Sequence, residues 1–210
     1  MSVKLEIWGE YACFTRPELK AERMSYEVMT PSAARGILEA IYWRPEIRWV
    51  IDEIHVLHPI RWMSIRRNEV SGKASVNAPI YIEEQRQQRS TLLLRDVRYG
   101  IVAHFDVLPS HKPERNEREN TPEKHLAIFT RRAAKGQHWH QPYLGCREFA
   151  ANYQLVRNAF SQSRLPPSQD NRDLGMMLYD LDWPDMRALF FHAQLIDGII
   201  VVPSGRRTEG

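Results

Sequence analysis

An α+β fold is predicted for this 210-residue chain by three features of its pattern. Several segments alternate apolar and polar residues with the two-residue period of strands, two helices open on the same Thr-Pro signal, and the C-terminal stretch is strand-rich. Val3–Phe14 sets Val3, Leu5 and Ile7 against Lys4, Glu6 and Trp8, the alternation of a half-buried strand. Thr30-Pro31 then opens a helix, a capping hydroxyl followed by proline at the first helical position, where a missing N–H costs nothing. Ala34, Ile37, Leu38 and Ile41 follow as an apolar stripe, and Pro45 ends the helix.

Trp49–His58 and Ile60–Arg67 read as strands separated by Pro59. Ser71–Gln88 is polar, holds Gly72 and Pro79, and reads as a projecting loop or ragged hairpin. Thr91–Val107 carries a strand pattern broken near Arg98–Gly100, and the charged Pro109–Asn120 reads as an inserted loop. Thr121-Pro122 repeats the cap-plus-proline device for a second helix that stops at Gly136. Gln137–Tyr143 and Phe149–Val156 are strand-like, and Ser161–Asp173 has the composition of a linker. Gly175–Asp182, Met186–Ile196 and Gly198–Val202 then predict a short antiparallel sheet. This order resembles a ferredoxin-like (RRM-like) domain over residues 1–160, with inserted loops near 71–90 and 109–120. A small C-terminal antiparallel β-sheet extension follows over 174–210.

Composition excludes other classes. A 43% hydrophobic fraction is enough to bury a core, which excludes wholesale disorder. No run approaches the roughly 18 apolar residues of a spanning helix, and the N-terminus lacks the apolar core of a signal peptide. Cys13 and Cys146 make no disulfide framework and fit a reducing cytosol, so a cytoplasmic protein without a membrane partner is expected.

The net charge of +3 is only mildly basic, but its distribution is uneven. Arg61, Arg66, Arg67, Lys73, Arg86, Arg89, Arg95 and Arg98 crowd the middle of the chain, with Trp62, Tyr81 and Tyr99 among them. Such a surface can neutralise phosphates and stack bases. It can equally be a solvated face of edge strands.

Six blocks carry a resemblance to a known family. They are WGEYACFTRP (Trp8–Pro17), MTPSAARGILEAIYW (Met29–Trp43), RRNE (Arg66–Glu69), LRDVRYGI (Leu94–Ile101), YLGCREF (Tyr143–Phe149) and LGMMLYDLDW (Leu174–Trp183). Together they closely resemble the CRISPR-associated five-d family, of the RAMP superfamily in subtype I-C (Dvulg) systems, over essentially the whole chain. The resemblance implies a ferredoxin-like domain with a C-terminal β-sheet extension. It implies an endoribonuclease that cuts CRISPR precursor transcript within the repeat hairpin and stays on the product as a subunit of the type I-C interference complex. One departure is the C-terminal glycine-rich loop of RAMP proteins, here thinned to Pro203-Ser204-Gly205-Arg206-Arg207.

Metal-free RNA cleavage needs a base for the attacking 2′-OH, an acid for the leaving 5′-oxygen and positive charge on the phosphorane. Lys124 and His125 fall in the first turn of the second helix, where the dipole favours a phosphate and a neutral imidazole. A bound phosphate pulls the imidazole the other way. Tyr42 ends the stripe of the first helix, so its ring can pack while its hydroxyl reaches a groove. Alone, such a tyrosine reads as a core residue and such a Lys-His pair as solvated. The resemblance carries the family's Tyr, Lys, His set onto Tyr42 in ILEAIYW and Lys124-His125 in EKHLAIF. Tyr42 could act as acid, base or orienting donor. The expected products are a 2′,3′-cyclic phosphate and a 5′-OH.

Arg61, Arg66, Arg67, Arg86 and Arg89 are the candidate phosphate contacts on a repeat hairpin, with Trp62 for stacking and Arg16 and Lys20 extending the face. No cofactor and no metal are called for: His138 and His140 flank Trp139 with Cys146 nearby, but no fourth ligand has regular spacing. Two rivals are a non-catalytic subunit binding the RNA handle and a duplex-DNA-binding protein or metal-dependent nuclease.

Overall fold

The computed structural model describes residues 2–19, 22–72, 81–108, 120–182, 185 and 187–204. Lys20, residues 73–80 of the loop near 71–90 with Lys73 among them, residues 109–119 of the insertion near 109–120, and the tail from Gly205 lie outside the described residues.

Strand β1 (Val3–Ala12) lies inside a mostly antiparallel sheet with β2 (Ile47–Val56), β4 (Arg86–Val107), β5 (Asn152–Val156) and β8 (Ile199–Val201). Among the described residues the sheet order is β5-β1-β4-β2-β8, and each of its ladders is antiparallel. Among the described residues strand β3 (Trp62–Val70) pairs with the N-terminal half of β4 alone, from Trp62 opposite Leu94 to Val70 opposite Arg86. That half is preceded by a single turn, α2 (Ile82–Gln85). The pattern break expected near Arg98–Gly100 falls inside one continuous strand. The irregularity sits at Asp96, whose φ of 53° is where β4 turns from the ribbon with β3 into the main sheet.

Helices α1 (Pro31–Ile41) and α3 (Pro122–Ala134) follow the two Thr-Pro signals. Thr30 accepts a hydrogen bond from the Ala33 N–H and Thr121 from the Lys124 N–H, each satisfying a donor the first turn leaves open. Helix α1 packs on β2 and β6 (Arg172–Asp182), and α3 on β5. The alternation in β1 explains why one sheet face takes the helices. Leu5 and Ile7 are fully buried in the core with Ile37, Leu38, Ile41, Trp49 and Phe129.

The opposite face is covered by the segment expected as a linker. Phe160 lies against Gly100, Ser161 binds Glu6, the Arg164 N–H donates to the Leu57 carbonyl, and Gln169 hydrogen-bonds both backbone groups of Ile60. Strand β6 pairs with β7 (Arg187–Leu195) as expected, whereas β8 leaves them to extend the edge of β2, Ile54 opposite Ile200. Gln137–Tyr143 is not a strand. Its Trp139 N–H caps an open carbonyl of α1, that of Ala40, at 2.7 Å.

Candidate active site

Helix α1 ends one residue before Tyr42, which turns out of helical geometry (φ −152°, ψ 117°) and is held at three points. Its N–H donates to the Leu38 carbonyl, its carbonyl accepts from the Trp49 indole at 2.9 Å, and its hydroxyl meets His125 Nδ1 at 2.8 Å. His125 comes from the first turn of α3, with its N–H closing onto the Thr121 carbonyl. Phe105 stands edge-on to the imidazole, and Trp49 packs on Phe105 and Phe129. Both ring systems are nearly sealed from solvent, Tyr42 at 4% exposure and His125 at 6%.

The hydrogen-bond chain fixes the imidazole tautomer. Asn120 donates its amide N–H to the Leu108 carbonyl at 3.1 Å, which turns Asn120 Oδ1 toward His125 Nε2 at 2.7 Å. An amide oxygen only accepts, so Nε2 carries the proton. Nδ1 is then the lone pair that accepts the Tyr42 O–H. Burial holds the Tyr42 hydroxyl above its ordinary pKa, against the hydrogen bond and charge of Arg44. It is therefore a phenol, a donor, at neutral pH. Burial also pushes His125 below its ordinary value; Lys124 and Arg44 add to that and Glu46 opposes it. In the free protein the imidazole is thus biased toward its neutral form, the direction the helix dipole also favours.

These groups line a cavity of about 190 Å³ formed by Tyr42, Arg44, Glu46, Asn120, Lys124, His125 and Ile128. The exposed ammonium-bearing Lys124 and the exposed Arg44 put positive charge beside the dyad. Tyr42, Lys124 and His125 are therefore brought together. Arg44, Glu46 and Asn120 were not singled out from sequence; the signal for Asn120 is a bare amide next to the Thr-Pro cap of a helix carrying a histidine.

The basic candidates lie elsewhere. Arg61, Trp62, Arg66, Arg67, Arg86 and Arg89 occupy the β3–β4 ribbon, while the cavity is near the far end of β4, a strand rising about 3.3 Å per residue. Arg61 pairs with Asp96 at 2.8 Å, Arg67 with Glu148 and Glu69, and Arg89 with Glu69 at 3.6 Å. Arg66, Arg86 and Trp62 are exposed. Arg16 lies over the Tyr26 ring and pairs with Glu18 at 3.7 Å. His138 bonds the Tyr153 hydroxyl and His140 stacks on Tyr143, while Cys146 lies beside Cys13 and Thr15. Among the described residues no cluster of three His, Cys, Asp or Glu could hold a metal ion, and no helix is long and apolar enough to cross a membrane.

A family model described as CRISPR-associated protein (Cas_Cas5), for the Cas5d type, matches residues 2–203. The chain belongs to the Cas5d family. A Cas5d protein of Mannheimia succiniciproducens, named CRISPR pre-crRNA endoribonuclease, is 49% identical over 96% of this chain and 94% of its own. One of the same name from Thermus thermophilus is 39% identical over 99% of this chain and 93% of its own. A solved structure titled as a CRISPR-associated protein superposes with a TM-score of 0.68 at 24% identity, covering 97% of this chain and 92% of the other. That likeness concerns the fold.

Proposed function

We propose that this Cas5d-family chain is an endoribonuclease that cuts CRISPR precursor transcript within the repeat, by attack of a 2′-OH and without a metal ion. The observation that carries the reading is the Asn120–His125–Tyr42 chain of hydrogen bonds ending beside Lys124 and Arg44. The names of the two curated relatives support the substrate.

In this mechanism Tyr42 accepts the proton of the substrate 2′-OH as it passes its own to His125 Nδ1. The freed 2′-oxygen bonds to the adjacent phosphorus, and the P–O5′ bond breaks. Neutral His125 is thus the base, acting through Tyr42, and Glu46 stabilises the imidazolium that forms. Lys124 and Arg44 offset the charge of the phosphorane, and Lys124 gives its proton to the leaving 5′-oxygen. A 2′,3′-cyclic phosphate upstream and a 5′-OH downstream result.

The sheet order β5-β1-β4-β2, with α1 and α3 on one face, supports a ferredoxin-like reading of residues 1–160, with 174–210 as a C-terminal extension. A repeat hairpin is the expected RNA partner, held through Arg66, Arg86 and Trp62 on the ribbon, with Lys20 and Arg16 as further contacts. Other subunits of a type I-C interference complex are the expected protein partners, in the cytoplasm where the transcript is.

The test is incubation of a repeat RNA with the protein in EDTA, beside His125→Ala and an RNA carrying a 2′-deoxy residue at the cut. One cut by wild type, abolished by both changes with binding retained, supports the reading. Binding without any cut makes the chain a handle-binding subunit, and a magnesium requirement or a 5′-phosphate product overturns the mechanism.

A further inference from the structure

A second concavity opens beside the active-site cavity and shares Tyr42, Arg44 and Ile128 with it. Its volume of about 1130 Å³ exceeds the roughly 300–1,000 Å³ of a small-molecule pocket. Two indoles on its lining face solvent: Trp43 is 58% exposed and Trp139 is 87% exposed. Neither is exposed by looseness. Trp43 follows the thrice-anchored Tyr42, and the loop of Trp139 is pinned on both sides. The Trp139 N–H donates to the Ala40 carbonyl at 2.7 Å, and Gln141 Nε2 donates to the Ala151 carbonyl at 3.0 Å.

The charge of the groove is one-sided. Arg44, Arg131 and Arg132 line it, and none of them forms an ion pair among the described residues. Arg132 Nε is moreover buried without a hydrogen-bond partner. The carboxylate on the lining, Glu39, is held by Arg35 at 2.7 Å, which is bridged in turn to Asp180. This contrasts with the β3–β4 ribbon, where most arginines already have carboxylates.

We infer that this groove is the seat of the single-stranded RNA adjoining the scissile phosphate, with unpaired bases stacking on Trp43 and Trp139 and its backbone on Arg44, Arg131 and Arg132. The inference rests on the reading of the adjoining cavity as an RNA-cleaving site. Continuity favours this occupant: a strand whose 2′-OH reaches Tyr42 has as its direct continuation the groove that Tyr42, Arg44 and Ile128 also line. A duplex offers no free base faces to exposed indoles, whereas a single strand does.

The test uses an oligoadenylate of about 8 nucleotides and an RNA duplex of equal length, bound to wild type, Trp139→Ala and Arg131→Gln. Cleavage of a repeat RNA is followed in parallel. The single strand is expected to quench tryptophan emission in wild type and to bind about tenfold more weakly to Trp139→Ala, while duplex affinity is unchanged. Arg131→Gln is expected to lower the slope of affinity against salt by about one phosphate contact. Trp139→Ala touches no core, so a folding failure does not stand in for a result; circular dichroism verifies this. Single-strand binding that is equal in wild type and Trp139→Ala overturns the inference. So does an absence of quenching, which would assign the indoles to a protein interface. Single-strand binding through Trp139 in a protein that never cuts leaves the groove standing and removes the cleavage reading instead.

Discussion

Tyr42 and His125 form a pair in which neither group is reactive alone: the phenol is held protonated by burial and the imidazole neutral by burial and cationic neighbours. Coupled through the 2.8 Å contact, they form the relay of the proposed mechanism. Tyr42→Phe keeps the ring in its packing and deletes the relay, so single-turnover cleavage should fall by about 10²–10⁴ with RNA affinity nearly unchanged. Equal rates in the two proteins would remove Tyr42 from the chemistry. Asn120→Asp keeps an acceptor at Nε2 but makes it anionic, which raises the pKa of His125. The base works only when neutral, so the acid limb of the pH–rate profile should move upward by about one unit, with activity recovered at higher pH. An unmoved limb means that His125 is not the titrating base. The depressed pKa in the native protein also has a stability consequence. Below the ordinary value of about 6.5 the unfolded chain binds this proton more readily, so the contribution is full above that pH and is lost as pH falls through the lower folded value. From sequence, Tyr42, Lys124 and His125 emerged only with a family resemblance, because a capping tyrosine and a Lys-His pair carry no local sign of meeting across 83 positions.

At the level of elements, local signals were the readable ones. Both Thr-Pro caps and the alternation in β1 appear where the pattern put them, since each depends on neighbours within one turn or one pleat. The Gln137–Tyr143 loop and the pairing partner of strand β8 were not readable, although β8 itself was expected as a strand, because the groups that decide them, the Ala40 carbonyl and the edge of β2, lie far away in sequence. The cap of α3 has a functional consequence: Thr121→Ala should cost about 1 kcal/mol of stability in urea unfolding and lower cleavage by misplacing Lys124 and His125. Thr121→Ser should restore both, and failure of that rescue would mean the hydroxyl is not what holds the turn. Gly145 is a stricter element-level constraint. It sits at φ +84°, and a Cβ there would fall 2.1 Å from the Cys13 carbonyl oxygen, backbone against backbone. Gly145→Ala should therefore destabilise by more than the roughly 1 kcal/mol of a left-handed conformation alone, measured as a shift of the denaturant midpoint.

At the scale of the whole molecule, charges distant in sequence set what the surface can do. The arginine-rich middle looked like one basic face because its own segment holds few acids. Glu148, 81 positions from Arg67, reaches back to neutralise it together with Arg23, and Glu69 joins from within β3. A similar long reach closes the other sheet face. Glu6, 1% exposed, accepts from Arg98 at 2.6 Å and from the N–H and hydroxyl of Ser161, which straps residues 158–165 across β1 and β4. The C-terminal strands are continuous with the same interior: Met177 and Leu195 are buried in one cluster with Leu5, Leu38 and Ile54. Strand β6 packs on α1, whose end carries Tyr42, so loss of the C-terminal sheet should be felt at the proposed active site. The expected outcome is a single cooperative urea transition. Emission from the buried Trp49 region and far-ultraviolet circular dichroism should trace coincident curves, and Glu6→Ala should shift both together by about 2–3 kcal/mol. Part of the usual penalty for breaking a buried pair is discounted because Arg98 keeps access to water. Two separated transitions, with only the earlier one moved by Glu6→Ala, would instead make the C-terminal sheet an independently melting unit and detach its stability from that of the active site.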